Sequence, residues 1–140
     1  MCIRDSYNVV VATHSTGLRE PGVQELSEEM AGKIRAGGGR ILTTAHAFSG
    51  VNAAIQKRFD TMYPAGIIAQ TLRIFGQGMK VVVEITAMAA DAGMIPADKD
   101  VVVIAGSGRG ADTAVVLKPA HQSEMFDLCV REIIAKPRTR

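Results

Sequence analysis

Apolar and polar positions in this chain fall into blocks with different periods. Residues 8–12 (NVVVA) form a β-branched run, the pattern of a short strand buried on both faces. A hydroxyl-rich loop, THSTG, follows at once. Val23, Leu26, Met30 and Ile34 then recur at three- or four-residue spacing, which places one apolar stripe along a helix. Gly37-Gly-Gly39 stops that helix. Residues 40–44 (RILTT) read as a second strand, with AHAFSG after it and a helix over Val51–Phe59. Pro64 suits the first turn of a further helix carrying Ile67, Ile68, Leu72 and Phe75.

Gly76 and Gly78 interrupt this pattern and mark a break or a close approach. VVVEITAMAADAGMI continues as helix in spite of its three valines, because its length and its alanines outweigh them. Gly93 and Pro96 end it. Val101–Ala105 is a third buried strand and Thr113–Lys118 a fourth. Residues 124–128 make a helical turn, and residues 130–135 a last strand. Strands alternating with amphipathic helices predict an α/β fold with a mostly parallel open sheet flanked by helices. The link between residues 105 and 113 is too short for a parallel crossover, so that pair is expected as an antiparallel hairpin. Residues 7–140 are read as one domain, the size expected for a chain of 140 residues.

Composition narrows the function classes. A net charge of +2, with Lys and Arg scattered, gives no nucleic-acid footprint, and the basic tail Lys136-Pro-Arg-Thr-Arg140 reads as a solvated end. Two Tyr, four Phe and no Trp give no stacking platform for single strands. Cys2 and Cys129 form neither a CxxC pair nor a metal-ligand spacing, which fits a reduced, cytoplasmic protein. His14, His46 and His121 show no HExxH arrangement, so no metal and no cofactor is expected. Glu84 interrupts the longest apolar stretch, so no membrane span is expected.

Three strands end in small polar loops, and in open parallel sheets ligands bind beyond the carboxyl ends of strands. The candidate ligand-binding residues are Thr13, His14, Ser15, Thr16 and Gly17 in the first loop and His46, Ser49 and Gly50 in the second. Gly106, Ser107, Gly108, Arg109, Gly110, Asp112 and Thr113 make up the third. Hydroxyls and glycine N–H groups suit phosphate oxygens, and Arg109 adds a charge-assisted donor. Ordinary tight turns have the same composition, and both readings stay open at this level. Gly106 to Ala111 matches GxGxxA, but a strand follows where the dinucleotide fingerprint needs a helix, which rejects that cofactor site. His14 and His46 are possible acid–base groups, although no triad assembles. Lys80 and Glu84 share one helix face. Glu84 is either paired within the helix or towards a loop, or a functional carboxylate facing the loops.

VVVATHSTGLREPGVQEL, ILTTAHAFSGV, FGQGMKVVVEI and GRGADTAVVLKPA together resemble the C-terminal α/β domain of pyruvate kinase. More closely, they resemble the small stand-alone prokaryotic proteins built from that domain. The resemblance spans roughly residues 7–138. It implies a domain that binds a small phosphorylated or anionic metabolite, regulates, and helps form a homo-oligomer, without the catalytic barrel. An uncharacterised enzyme using the His, Ser and Gly loops, or an oligomerisation module, are the rival readings. The extended LREPG and the long helix depart from the enzyme pattern. MCIRDS is encoded by a string resembling a transposon-based sequencing adapter. Residues 1–6 are therefore expected to be an artefact, and a strand–helix–strand portion is expected to belong before residue 7.

Overall fold

A computed structural model of the chain describes residues 7–108 and 110–138. Residues 1–6, Arg109 and the last two residues, with the readings attached to them, lie outside the described set. The elements in order are β1 (Val10–Ala12), α1 (Glu28–Ala36), β2 (Arg40–Leu42), α2 (Val51–Phe59), α3 (Pro64–Arg73), α4 (Gln77–Asp91), β3 (Val101–Ala105) and β4 (Thr113–Lys118). A 3-10 turn (Gln122–Asp127) and β5 (Cys129–Ala135) follow.

Each boundary has a local cause. The α1 helix starts at Glu28, later than its apolar stripe suggests, because the Ser27 hydroxyl accepts the Met30 N–H and caps it there. Glu28 and Glu29 occupy its first turn and Lys33 and Arg35 its last, so both ends complement the helix dipole. The residues that carry Val23 are held in turns, with Gly17 N–H on the Val23 carbonyl. Pro64 opens α3 as expected. The chain breaks at Gly76 and α4 begins at the next residue.

The centre of the molecule is α4, in which eleven of fifteen residues are buried. One face (Met79, Val82, Val83) packs with Phe48, Ala69, Val115 and Leu117. A second face (Met88, Ala89) packs with Leu42 and, at its margin, Val10, Ile85 and Met94. Val82, Val115 and Leu117 have no exposed surface at all. Full burial of such side chains stabilises by roughly 1.5–3 kcal/mol each. Met79 and Met88 are core residues. Val81, Val82 and Val83 stay helical because this burial outweighs their modest helix propensity.

The described strands form two sheets in place of the one mostly parallel sheet expected from the element order. Only β1 and β2 are parallel, paired Val10 with Arg40 through Ala12 with Leu42. The other three strands form a separate antiparallel sheet in the order β3-β4-β5. The hairpin of β3 and β4 has the predicted antiparallel register, Val101 opposite Leu117 and Ala105 opposite Thr113. Helices α2 to α4 deliver β3 onto a different face of α4 from β2, so the two sheets do not merge. A mostly parallel open sheet is therefore not what these residues build. The burial predicted for the strands changes with it. The β1 residues are only half-buried. In β3, Val102 and Ile104 are 64% and 59% exposed, because α4 covers one face of the antiparallel sheet only. Two register irregularities interrupt the β4–β5 ladder.

Candidate functional site

Neighbouring parallel strands must release their following loops on the same side. Accordingly, THSTG after β1 and TTAHAFSG after β2 emerge next to each other. The Thr13 N–H continues the ladder to the Leu42 carbonyl at 2.9 Å, and the hydroxyls of Thr13 and Thr43 meet at 2.8 Å. Gln24 anchors the first loop from the lead-in to α1. Its amide donates to the His14 carbonyl at 3.1 Å and to the Thr16 hydroxyl at 3.3 Å. Glu25 accepts from His14 Nδ1 at 3.1 Å and pairs with Arg19 at 3.5 Å. The His14 and His46 rings approach to 5.7 Å between centroids.

Two cavities open where these loops meet. The first, about 600 Å³, lies between the loops and is lined by Ser15, Thr16, Gly17, Thr43, Thr44, His46, Ser49 and Gly50. The second, also about 600 Å³, runs under the loops between α2, α3 and α4. Leu18, His46, Ser49 and Ala53 belong to the walls of both. The first two predicted loops are thus brought together, with Thr13 and His14 on the second cavity and the remaining predicted residues of those loops on the first.

The described residues of the third predicted loop line neither cavity. Its turn closes on itself: a Cβ on Gly106 would lie 1.6 Å from the Gly110 carbonyl oxygen, so only glycine fits there. The Ser107 N–H donates to Asp112 Oδ2 at 2.9 Å, and the Thr113 hydroxyl donates to Asp112 Oδ1 at 2.6 Å. The loop therefore supplies its own anion to an amide that the sequence suggested for phosphate. Asp112 and Thr113 stand by the first turn of α4, where Gly78 packs against them, and Gly106, Ser107, Gly108 and Gly110 belong to the turn that precedes them. Antiparallel pairing causes this separation, since it takes β3 and β4 out of the sheet that carries the other two loops.

Those hydrogen bonds, from Thr113 first and then Ser107, hold the Asp112 carboxyl below its ordinary value of 3.8. A lowered folded value contributes stability that is present above 3.8 and is lost as pH falls through the folded value. Asp112→Asn is therefore expected to lose less of its thermal midpoint than the parent protein between about pH 4 and about pH 2. Equal acid losses in the two proteins would refute this.

The Lys80–Glu84 pair is both intrahelical and loop-directed. Lys80 Nζ contacts Glu84 Oε2, while Glu84 Oε1 accepts the Phe48 N–H of the AHAFSG loop at 2.9 Å. Lys80 also lies 5.7 Å from the centre of the Phe48 ring. Lys80 is 6% exposed and Glu84 3%. Both line the second cavity, together with Gln70, Arg73 and Gln77. The sequence pointed to Glu84 but not to Arg73, Gln77 or Gln24; the i, i+3, i+7 spacing of Gln77, Lys80 and Glu84 was the signal that could have found the polar face of α4.

Among the described residues, no group of three His, Cys, Asp or Glu could hold a metal ion. No Ser or Thr hydroxyl bonds to either loop imidazole among them, so no nucleophile–base pair is assembled there. No helix among them is long and apolar enough to cross a membrane. No protein-family model matches this chain.

Proposed function

We propose that this chain is a binding and regulatory domain for a small phosphorylated or anionic metabolite, taken in the cleft between residues 15–17 and residues 43–50. The observation that carries this reading is the convergence of two hydroxyl- and glycine-rich loops at the carboxyl ends of paired parallel strands, around a cleft of about 600 Å³. Ser15, Thr16, Thr43, Thr44 and Ser49 offer hydroxyl donors, and Gly17 and Gly50 let a ligand oxygen approach the backbone. The resemblance to the C-terminal domain of pyruvate kinase supports the same reading. Action as a homo-oligomer comes with it, and the cysteine usage adds a cytoplasmic setting as a further part of the proposal.

The test is thermal unfolding of the full chain with inorganic phosphate, glycerol 3-phosphate and ribose 5-phosphate. A bound probe stabilises by about 2.7 kcal/mol at 100 times its Kd, so the midpoint should rise steadily with the logarithm of probe concentration once that exceeds Kd. Thr16→Val with Ser49→Val removes two hydroxyls from the cleft and should abolish the rise. Unchanged midpoints with all three probes, or an undiminished rise in the double variant, would sink the proposal.

A further inference from the structure

The second cavity carries charged chemistry beyond the single loop contact that Glu84 makes with the Phe48 N–H. Its polar wall is built from one face of α4, where Gln77, Lys80 and Glu84 follow at i, i+3 and i+7, and from Arg73 at the end of α3. Arg73 Nε donates to Gln77 Oε1 at 2.7 Å. That bond uses one of the five guanidinium donors and fixes the plane of the fork. One turn further on, the ammonium of Lys80 and the carboxylate of Glu84 stand side by side, both more than nine-tenths buried. Burying two charges along a cavity wall costs several kcal/mol per ion before the pair recovers it. A wall built only for packing would be apolar.

The charges specify a ligand. Lys80 and Glu84 cancel, and Arg73 leaves one positive charge over, which calls for a carboxylate beside it. The ion pair presents a donor directly beside an acceptor. Its complement is a molecule with an acceptor directly beside a donor, such as a carboxylate with a hydroxyl or an ammonium on the adjacent carbon. Its carboxylate would meet Arg73 and Lys80, and its donor Glu84. Met62, Tyr63 and Ile85 elsewhere on the wall suit a short apolar body, and about 600 Å³ is the size of a small-molecule site.

We propose that the cavity between α2, α3 and α4 is a ligand site in its own right, taking a small carboxylate that bears a hydroxyl or ammonium donor on the neighbouring carbon. The site adjoins the loop cleft, with which it shares Leu18, His46, Ser49 and Ala53, but its charged wall of Arg73, Lys80 and Glu84 is its own: phosphate-bearing probes read the cleft, and carboxylates read this cavity.

Calorimetric titration of the full chain with four probes of one chain length tests it. These are 2-hydroxyhexanoate, norleucine, hexanoate and 1,2-hexanediol. At least one of the first two should bind at least about tenfold tighter than hexanoate, the worth of one charge-assisted hydrogen bond. The diol, which lacks the anion, should bind weakest. Arg73→Gln should weaken the acids about tenfold or more. Lys80→Met alone would leave Glu84 buried without its cation, so the informative variant is Lys80→Met with Glu84→Leu, an apolar replacement of similar volume that keeps the fold. It should erase the preference for an adjacent donor. Equal binding of hexanoate and its substituted forms would overturn the proposal. So would a diol that binds as tightly as the acids, absence of binding by all four probes, or a preference that survives in the double variant.

Discussion

Glu84→Leu is expected to lower the unfolding free energy by about 3–5 kcal/mol, the usual cost of leaving a buried charge without its partner. Glu84 does two jobs at once. It neutralises Lys80, which is 6% exposed, and it accepts the Phe48 N–H at 2.9 Å. Leucine does neither, so an ammonium and a buried amide both lose their acceptor. Because Phe48 belongs to the loop after β2, that loop should loosen together with the core. Lys80→Met added to Glu84→Leu should recover most of the loss, since only the amide is then unsatisfied. Urea denaturation of the parent, the single and the double variant measures this. A single variant within about 1 kcal/mol of the parent would show that Lys80 reaches water.

Gly78→Ala is expected to destabilise by about 3 kcal/mol, against the direction that helix propensity predicts. Alanine in a helix interior is favoured over glycine by about 1 kcal/mol. At Gly78, however, a Cβ would stand 2.0 Å from the Thr113 hydroxyl oxygen and 2.6 Å from the Thr113 Cβ. Thr113 is 2% exposed and is held by strand pairing with Ala105, so it has no room to retreat. The methyl must push β4 from α4, and overpacking of this kind costs about 1–3 kcal/mol or more. Thr113→Gly in the same chain removes the obstacle and should return part of the stability. The sign of the Gly78→Ala change, read from denaturant midpoints, separates the two accounts: a stabilised variant would mean that the helix and β4 are not in contact at this point.

The two experiments probe one arrangement from opposite ends. Gly78 sets how closely α4 can approach the hairpin of β3 and β4. Glu84 sets how the loop after β2 is tied to the same helix. Both cavities depend on that helix, because the loop after β2 that walls the first is fastened to it through Phe48 and its polar face lines the second.

Local order was legible along the chain. Helix Val51–Phe59, the proline start of α3, the break at Gly76, the hairpin of β3 and β4 and the last strand follow from periodicity, proline, glycine and loop length. Each depends on neighbours within a few residues. The pairing of Lys80 with Glu84 was legible for the same reason, since i, i+4 residues share a helix face wherever the helix goes. The start of α1 was less so, because a single capping hydroxyl at Ser27 outweighed an apolar stripe that began earlier.

Which strands pair, and so which loops meet, was decided only in three dimensions. A run such as VVVIA reads the same in a central parallel strand and in an antiparallel sheet with one open face, because the β-branched residues suit both. The choice was made by α4, whose differing faces take β1 and β2 on one side and β3 and β4 on another. That split brought THSTG and AHAFSG together and left Asp112 and Thr113 beside the start of α4. It also turned the polar face of α4 inward, onto a cavity with Arg73, a residue far enough along the chain that no spacing rule connects it to Glu84. Sequence determined the elements and the chemistry each one carries; tertiary packing determined which chemistries face one another, because burial energy depends on the surface an element meets and not on the pattern it presents.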